Sequence, residues 1–160
     1  MQIETQRKFN EQSGMTVIEI VVVIGIFAIL AASGLFLSMD FYRAYAANSE
    51  LVTIVSSLGK ARNQSLANLN EKEHGLHIET DKYVIFEGAV VPAVYDSGAA
   101  SNLDIPAGSN TTVSGPSEII FERLTGKARS ESDDCPCTIS FTTQGQTKEI
   151  DINSEGGIEW

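Results

Sequence analysis

The sequence predicts an α+β protein: a long N-terminal helix, membrane-spanning in its first half, packed on a small antiparallel β-sheet or sandwich domain. Three observations predict it. Met15–Met39 is an apolar run in which Glu19 is the first charge met, and no other charge follows before Asp40. Apolar residues then recur in steps of three and four at Leu51, Ile54, Val55, Leu58, Ala61, Leu66 and Leu69. From Gly75 onward the period falls to two, in short segments divided by turn residues. A chain of 160 residues allows one domain plus appendages. It divides into a polar leader (1–14), an apolar helix (15–39), an amphipathic stem helix (40–74) and a β-rich domain (75–160).

The apolar run comes first. At about 1.5 Å per residue a helix over Met15–Met39 is roughly 37 Å long, enough for a hydrocarbon core of about 30 Å. Glu19 is the odd residue in it. A carboxylate near the centre of a spanning helix costs about 2.5–3.5 kcal/mol on insertion scales. Three readings compete. A secretory signal peptide would be cut at a small-residue site such as Ala31-Ala32-Ser33. A plain membrane anchor leaves Glu19 unexplained. A leader cut before the apolar run would place Glu19 near a new N-terminus. Arg7 and Lys8 precede the run and predict a cytoplasmic N-terminus with the C-terminal domain outside.

The stem follows. Its apolar stripe, with Arg62 at the flank, predicts one buried face. His74-Gly75 is read as its end, because glycine adopts the left-handed conformation past a helix terminus. One helix from Met15 to about Asn70 would be roughly 84 Å long. Gly25 and Gly34 each weaken a helix interior by about 1 kcal/mol relative to alanine, so Gly34 is the expected place for a bend.

In the β region the predicted strands are Leu76–Glu79, Tyr83–Glu87, Val90–Val94, Glu118–Glu122, Thr138–Thr142, Glu149–Ile152 and Ile158–Trp160. Turn signals separate them at Thr80-Asp81-Lys82, Asp96-Ser97-Gly98, Pro106-Ala107-Gly108, Thr125-Gly126, Gln144-Gly145 and Glu155-Gly156-Gly157. Gly98–Pro116 is rich in Gly, Ser, Asn and Thr, with Leu103, Ile105 and Val113 as its strand-like points. It reads as a long exposed loop or irregular β segment.

Composition narrows the chemistry. A formal net charge of −10 makes the domain a poor electrostatic partner for nucleic acid. Arg123, Lys127 and Arg129 are the local basic exception and read as a solvated hairpin face. Cys135-Pro136-Cys137 supplies half of a tetrahedral zinc site, which His74 and His77 would have to complete; a turn before the next strand is the plainer reading. Outside the cytoplasm the two thiols would be open to oxidation. Asp151-Ile152-Asn153-Ser154-Glu155-Gly156 resembles the opening of a calcium loop, yet the chain lacks the glutamate that would close it, and a strand followed by a Gly-Gly turn fits better. No metal ligand set, cofactor or catalytic residue is assigned, and no nucleophile–base spacing or phosphate-binding loop occurs. An enzyme is not expected.

The N-terminal residues carry a resemblance. MQIETQRKFNEQSG followed by MTVIEIVVVIGIFAIL resembles the cleavage and methylation signal of type IV pilins and type II secretion pseudopilins. The resemblance implies that a prepilin peptidase cuts after Gly14 and N-methylates Met15. It places Thr16 second and Glu19 fifth in the mature chain, where Glu19 pairs with the Met15 ammonium of a neighbouring subunit. LGKARNQSLANLN (Leu58–Asn70), DKYVIFEG, EIIFERLTGKA and EIDINSEGGIEW are similar to landmarks of the H-type minor pseudopilins and their pilus relatives. Many pilins bend the stem with a proline where this chain has Phe36. The resemblance implies a pilin-like fold and a structural subunit. Its partners would be other pilins, met through the helix, and an inner-membrane assembly platform. It would be a single-pass inner-membrane protein before assembly. The alternative is a signal-anchored extracytoplasmic binding module that does not polymerise.

Overall fold

The computed structural model describes residues 14–88, 92–131 and 133–160. The architecture is α+β: one long N-terminal helix and antiparallel sheets. The chain forms two compact units, Met1–Met39 and Asp40–Trp160. Helix α1, Val17–Leu66, contributes to both, and its backbone is helical through Gly25 and Gly34.

In the first unit the helix is long and apolar enough to cross a membrane, and none of its most apolar window is buried in protein. Such all-round apolar surface calls for lipid or for other helices.

In the second unit the helix packs on two sheets. The first is five-stranded, in the order β3-β2-β1-β5-β6, with β1 His74–Ile78, β2 Lys82–Glu87, β3 Leu103–Pro106, β5 Glu118–Phe121 and β6 Ala128–Ser130. The second is four-stranded, in the order β4-β7-β8-β9, with β4 Thr111–Ser114, β7 Cys137–Thr143, β8 Gln146–Ile152 and β9 Ile158–Glu159. Side chains alternate across each strand, so residues of one strand reach both faces of its sheet. Ile54, Leu58 and Ala61 of the helix meet Leu76, Ile85, Ile119 and Phe121 of the first sheet and Ile139, Phe141, Ile150 and Ile152 of the second in one core. A smaller cluster of Phe86, Ala93 and Ile120, with Tyr95 against it, lies on the opposite face of the first sheet. Gly75 makes that cluster possible. A Cβ there would lie 2.8 Å from the Phe86 ring and 2.7 Å from the Ile119 carbonyl oxygen.

Polar residues in the buried stripe fasten the helix to the sheets. Ser65 accepts the His74 N–H at 2.8 Å and donates to the Phe121 carbonyl at 2.8 Å, joining the helix end to β1 and β5. Buried Glu50 accepts the Tyr83 hydroxyl and, at 3.0 Å, the Gly108 N–H. The Tyr83 hydroxyl pKa is raised, first by burial and then by its bond to Glu50.

Several sequence expectations are corrected here. The stem helix ends at Leu66, not near Asn70, and His74 opens β1 instead of closing a helix. The left-handed residues are Asn68 (φ 53), Asn70 (φ 56) and Glu71 (φ 55), at and within a short 3-10 turn, Leu69–Glu71. Leu66 and Leu69, assigned to the buried stripe, are 37% and 44% exposed; Leu66 is the last helical residue and Leu69 lies past the helix end. Gly98–Pro116, read as a long exposed loop or irregular β segment, contains two regular strands, β3 and β4. Both are edge strands whose side chains are mostly exposed, so they lack the alternation that marks a half-buried strand. β6 is also additional. In the expected strand Val90–Val94, residues 92–94 form no strand; the rest lies outside the described residues.

His74 has a measurable consequence. Its ring is buried on the core side of β1, with Nε2 4.0 Å from Glu87 Oε2. Burial lowers its pKa from the ordinary value of 6.5, partly opposed by the Glu87 charge. The folded state therefore binds this proton less readily than the unfolded state. The contribution is fully present above about pH 6.5 and is lost as pH falls below it. Thermal melts from pH 7.5 to 5.0 are expected to show Tm falling in the wild type and falling less in His74→Leu. Equal slopes would refute the assignment.

Candidate functional site

Two places in the molecule stand out, one in each unit. The first is the start of the helix. Gly14 and Met15 precede it and are exposed, and a Cβ on Gly14 would have no neighbour within 4 Å. The first N–H groups of a helix lack backbone acceptors and need other partners. Thr16 and Glu19 supply them reciprocally. The Glu19 N–H donates to Thr16 Oγ1 at 3.4 Å. The Thr16 N–H and hydroxyl both donate to Glu19 Oε2, each at 3.1 Å. This is a capping box, and the carboxylate also sits at the positive end of the helix dipole. The structure thus brings Thr16 and Glu19 together, next in the chain to Met15. The Thr-x-x-Glu pattern that signals the box is legible in the sequence, but the sequence reading passed over it.

The second place is the outer face of the stem. At about 100° per residue, Phe41, Tyr45, Val52, Ser56, Gly59, Asn63 and Ala67 fall on the side opposite Ile54, Leu58 and Ala61. The bulky members are largely exposed, at 79% for Phe41, 74% for Tyr45 and 64% for Val52. The small members form a shallow groove bordered by Lys60 and Leu69. Among the described residues nothing covers the bulky members of this face. The sequence reading found the buried stripe and missed this one, although the same three-four period reveals it.

The remaining motifs resolve differently. Cys135 and Cys137 form a disulfide with Cα atoms 4.7 Å apart, which consumes both thiols. His74 and His77 point to opposite faces of β1: His77 stacks on Tyr95 at 3.9 Å and meets Glu118 at 3.2 Å. They cannot share an ion with each other. Asp151 accepts the Thr138 hydroxyl at 2.6 Å, while Asn153 closes the β8–β9 turn by accepting the Gly157 N–H at 2.7 Å. Arg129 belongs to no free basic face, because it is paired with buried Glu73 at 3.0 Å. Lys127 lies 3.7 Å from Glu155, and Arg123 donates to the Glu71 carbonyl.

Arg62 is the least expected of the placed residues. Its guanidinium threads between the β5–β6 and β8–β9 turns and donates to the Glu155 carbonyl at 3.1 Å. The two turns meet through left-handed glycines, Gly126 (φ 67) and Gly156 (φ 76). In the sequence Arg62 read as a flank of the stem; here it is a pin through two distant turns.

No family model matches the chain, and neither does any curated protein or solved structure.

Proposed function

We propose that the chain is a minor pilin or pseudopilin, a structural subunit of a type II secretion pseudopilus or type IV pilus. A prepilin peptidase removes the leader after Gly14 and methylates the Met15 amine. The subunit waits as a single-pass inner-membrane protein with its β domain outside, then joins other pilins through the helix at an assembly platform. The observation that carries the reading is the Glu19 carboxylate in the first turn of an otherwise apolar, uncovered helix that starts just after Gly14. While the subunit is alone, the Thr16 cap satisfies that carboxylate. In the filament, the Met15 ammonium of a neighbour pairs with it, which offsets desolvation and sets axial register between apolar helices. The uncovered outer face of the stem supports the same reading, since it leaves a second helix surface free for neighbours.

Mass spectrometry tests the proposal. Co-expression with a prepilin peptidase is expected to yield a chain lacking Met1–Gly14 and carrying one added methyl group. An intact N-terminus, or a cut within Ala31–Ser33, would instead indicate the signal-anchored binding module.

A further inference from the structure

The disulfide at the passage between the two sheets carries an inference that does not depend on filament assembly. We propose that Cys135–Cys137 is a thiol–disulfide exchange site, reduced and reoxidised while the domain stays folded, with a dithiol as its reaction partner.

Loop size is the first argument. Stabilisation by a cross-link grows with the length of chain it closes. A loop of about three residues shifts the folding equilibrium only about fifteenfold in the chain-entropy account, against more than a hundredfold for about fifteen residues. This bridge is therefore a weak staple, and the fold has little need of it.

The second argument is that each cysteine is held without the bridge. Cys135 is 2% exposed in the main core, and its N–H donates to the Ala128 carbonyl at 3.2 Å. Cys137 opens β7 and is paired with Ile152 of β8. Reduction leaves both anchors in place, so the thiols stay neighbours and can close again without a search.

The third argument is asymmetry. Cys135 is buried, whereas Cys137 is half-buried between exposed Pro136 and Thr138. Exchange requires a thiolate to reach a sulfur. The reachable sulfur is that of Cys137. An incoming thiolate bonds to it, the Sγ–Sγ bond breaks, and Cys135 leaves as a thiolate that takes up a proton. The second thiol of the reductant then attacks the mixed disulfide and releases Cys137 as a thiol. Two electrons and two protons pass from the dithiol to the protein, and the dithiol becomes a disulfide. Reoxidation runs the same steps in reverse with an oxidised dithiol partner. Exposed Glu131, Asp133 and Asp134 flank the site, so an uncharged dithiol is favoured over an anionic thiol.

The test uses the full chain in detergent micelles. The protein is titrated with dithiothreitol, quenched with iodoacetamide and mapped by mass spectrometry, with circular dichroism recorded in parallel. Alkylation of both cysteines is expected at dithiol concentrations that leave the dichroism spectrum unchanged. Trapped mixed disulfide is expected on Cys137 in at least tenfold excess over Cys135. Single variants give the same order: Cys135→Ser reacts with glutathione disulfide at least tenfold faster than Cys137→Ser, and both slow as negative charge on the disulfide rises. If alkylation appears only with denaturant, or if the two sulfurs trap equally in the wild type, the proposal is overturned.

Discussion

Glu19→Ala is expected to leave leader removal intact and to abolish filament assembly. The substitution removes a charge from the first turn of an apolar helix, which favours the membrane by less than the roughly 2.5–3.5 kcal/mol that insertion scales give at a helix centre. It also removes one half of the Thr16–Glu19 capping box, a contribution on the order of 1 kcal/mol in a helix first turn. Neither effect reaches Gly14, which lies outside the helix and makes no contact with the carboxylate among its recorded bonds. The chain is therefore still inserted and still cut. In the proposed filament it would lose the partner for a neighbour's Met15 ammonium, an interaction between unlike charges away from water, where removal of one member is costly. Glu19→Gln separates the two roles. A glutamine oxygen still accepts from Thr16, yet it carries no charge, so assembly is expected to fail in this variant too. Processed mass and the amount of sheared filament are the two readouts. Wild-type filament yield from Glu19→Gln would show that the cap, not the charge, is what matters.

Gly156→Ala is expected to be the most damaging methyl group that can be added to the β domain. Two penalties coincide there. Gly156 has φ 76, a conformation that costs an L-residue roughly 1–2 kcal/mol. Its added Cβ would also lie 2.0 Å from the Gly126 carbonyl oxygen and 2.8 Å from Arg62 Nε. The first contact is with backbone, which cannot swing aside, so the β5–β6 and β8–β9 turns must separate and release Arg62. A total loss of about 3 kcal/mol or more follows, near 10 °C in Tm for a unit of this size. Gly145→Ala is the control. Its φ of 78 carries the same backbone penalty, but nothing lies within 4 Å of the added carbon. It is expected to cost no more than about 1–2 kcal/mol. Equal losses in the two variants would mean that the contact with Gly126 and Arg62 has no weight.

Those two variants mark the boundary between local and distant information. The Thr16–Glu19 cap is a local feature, written in a Thr-x-x-Glu pattern that opens an apolar run. The membrane-length helix was legible because its pattern is local too. β7 and β8 were found because half-buried strands alternate apolar and polar side chains, and β2 because it is a short apolar run bounded by turn residues. β3 and β4 carry no such mark. They are strands because β2 and β7 lie beside them as pairing edges, with Tyr83 opposite Ile105 and Thr111 opposite Thr143 in register. The helix end was misplaced for a related reason. Leu66 and Leu69 continue the three-four pattern, and it is the Ser65 bonds to β1 and β5 that fasten the helix end where the chain leaves it.

By itself, then, the amino-acid order determined the helix start with its cap, the apolar length of the helix and the strands that border the core, because short-range patterns of polarity decide those features. Tertiary structure alone decided the edge strands and the seat of Arg62 between Gly126 and Gly156. Each of these depends on backbone groups brought together from far apart in the chain, and no local pattern encodes that encounter.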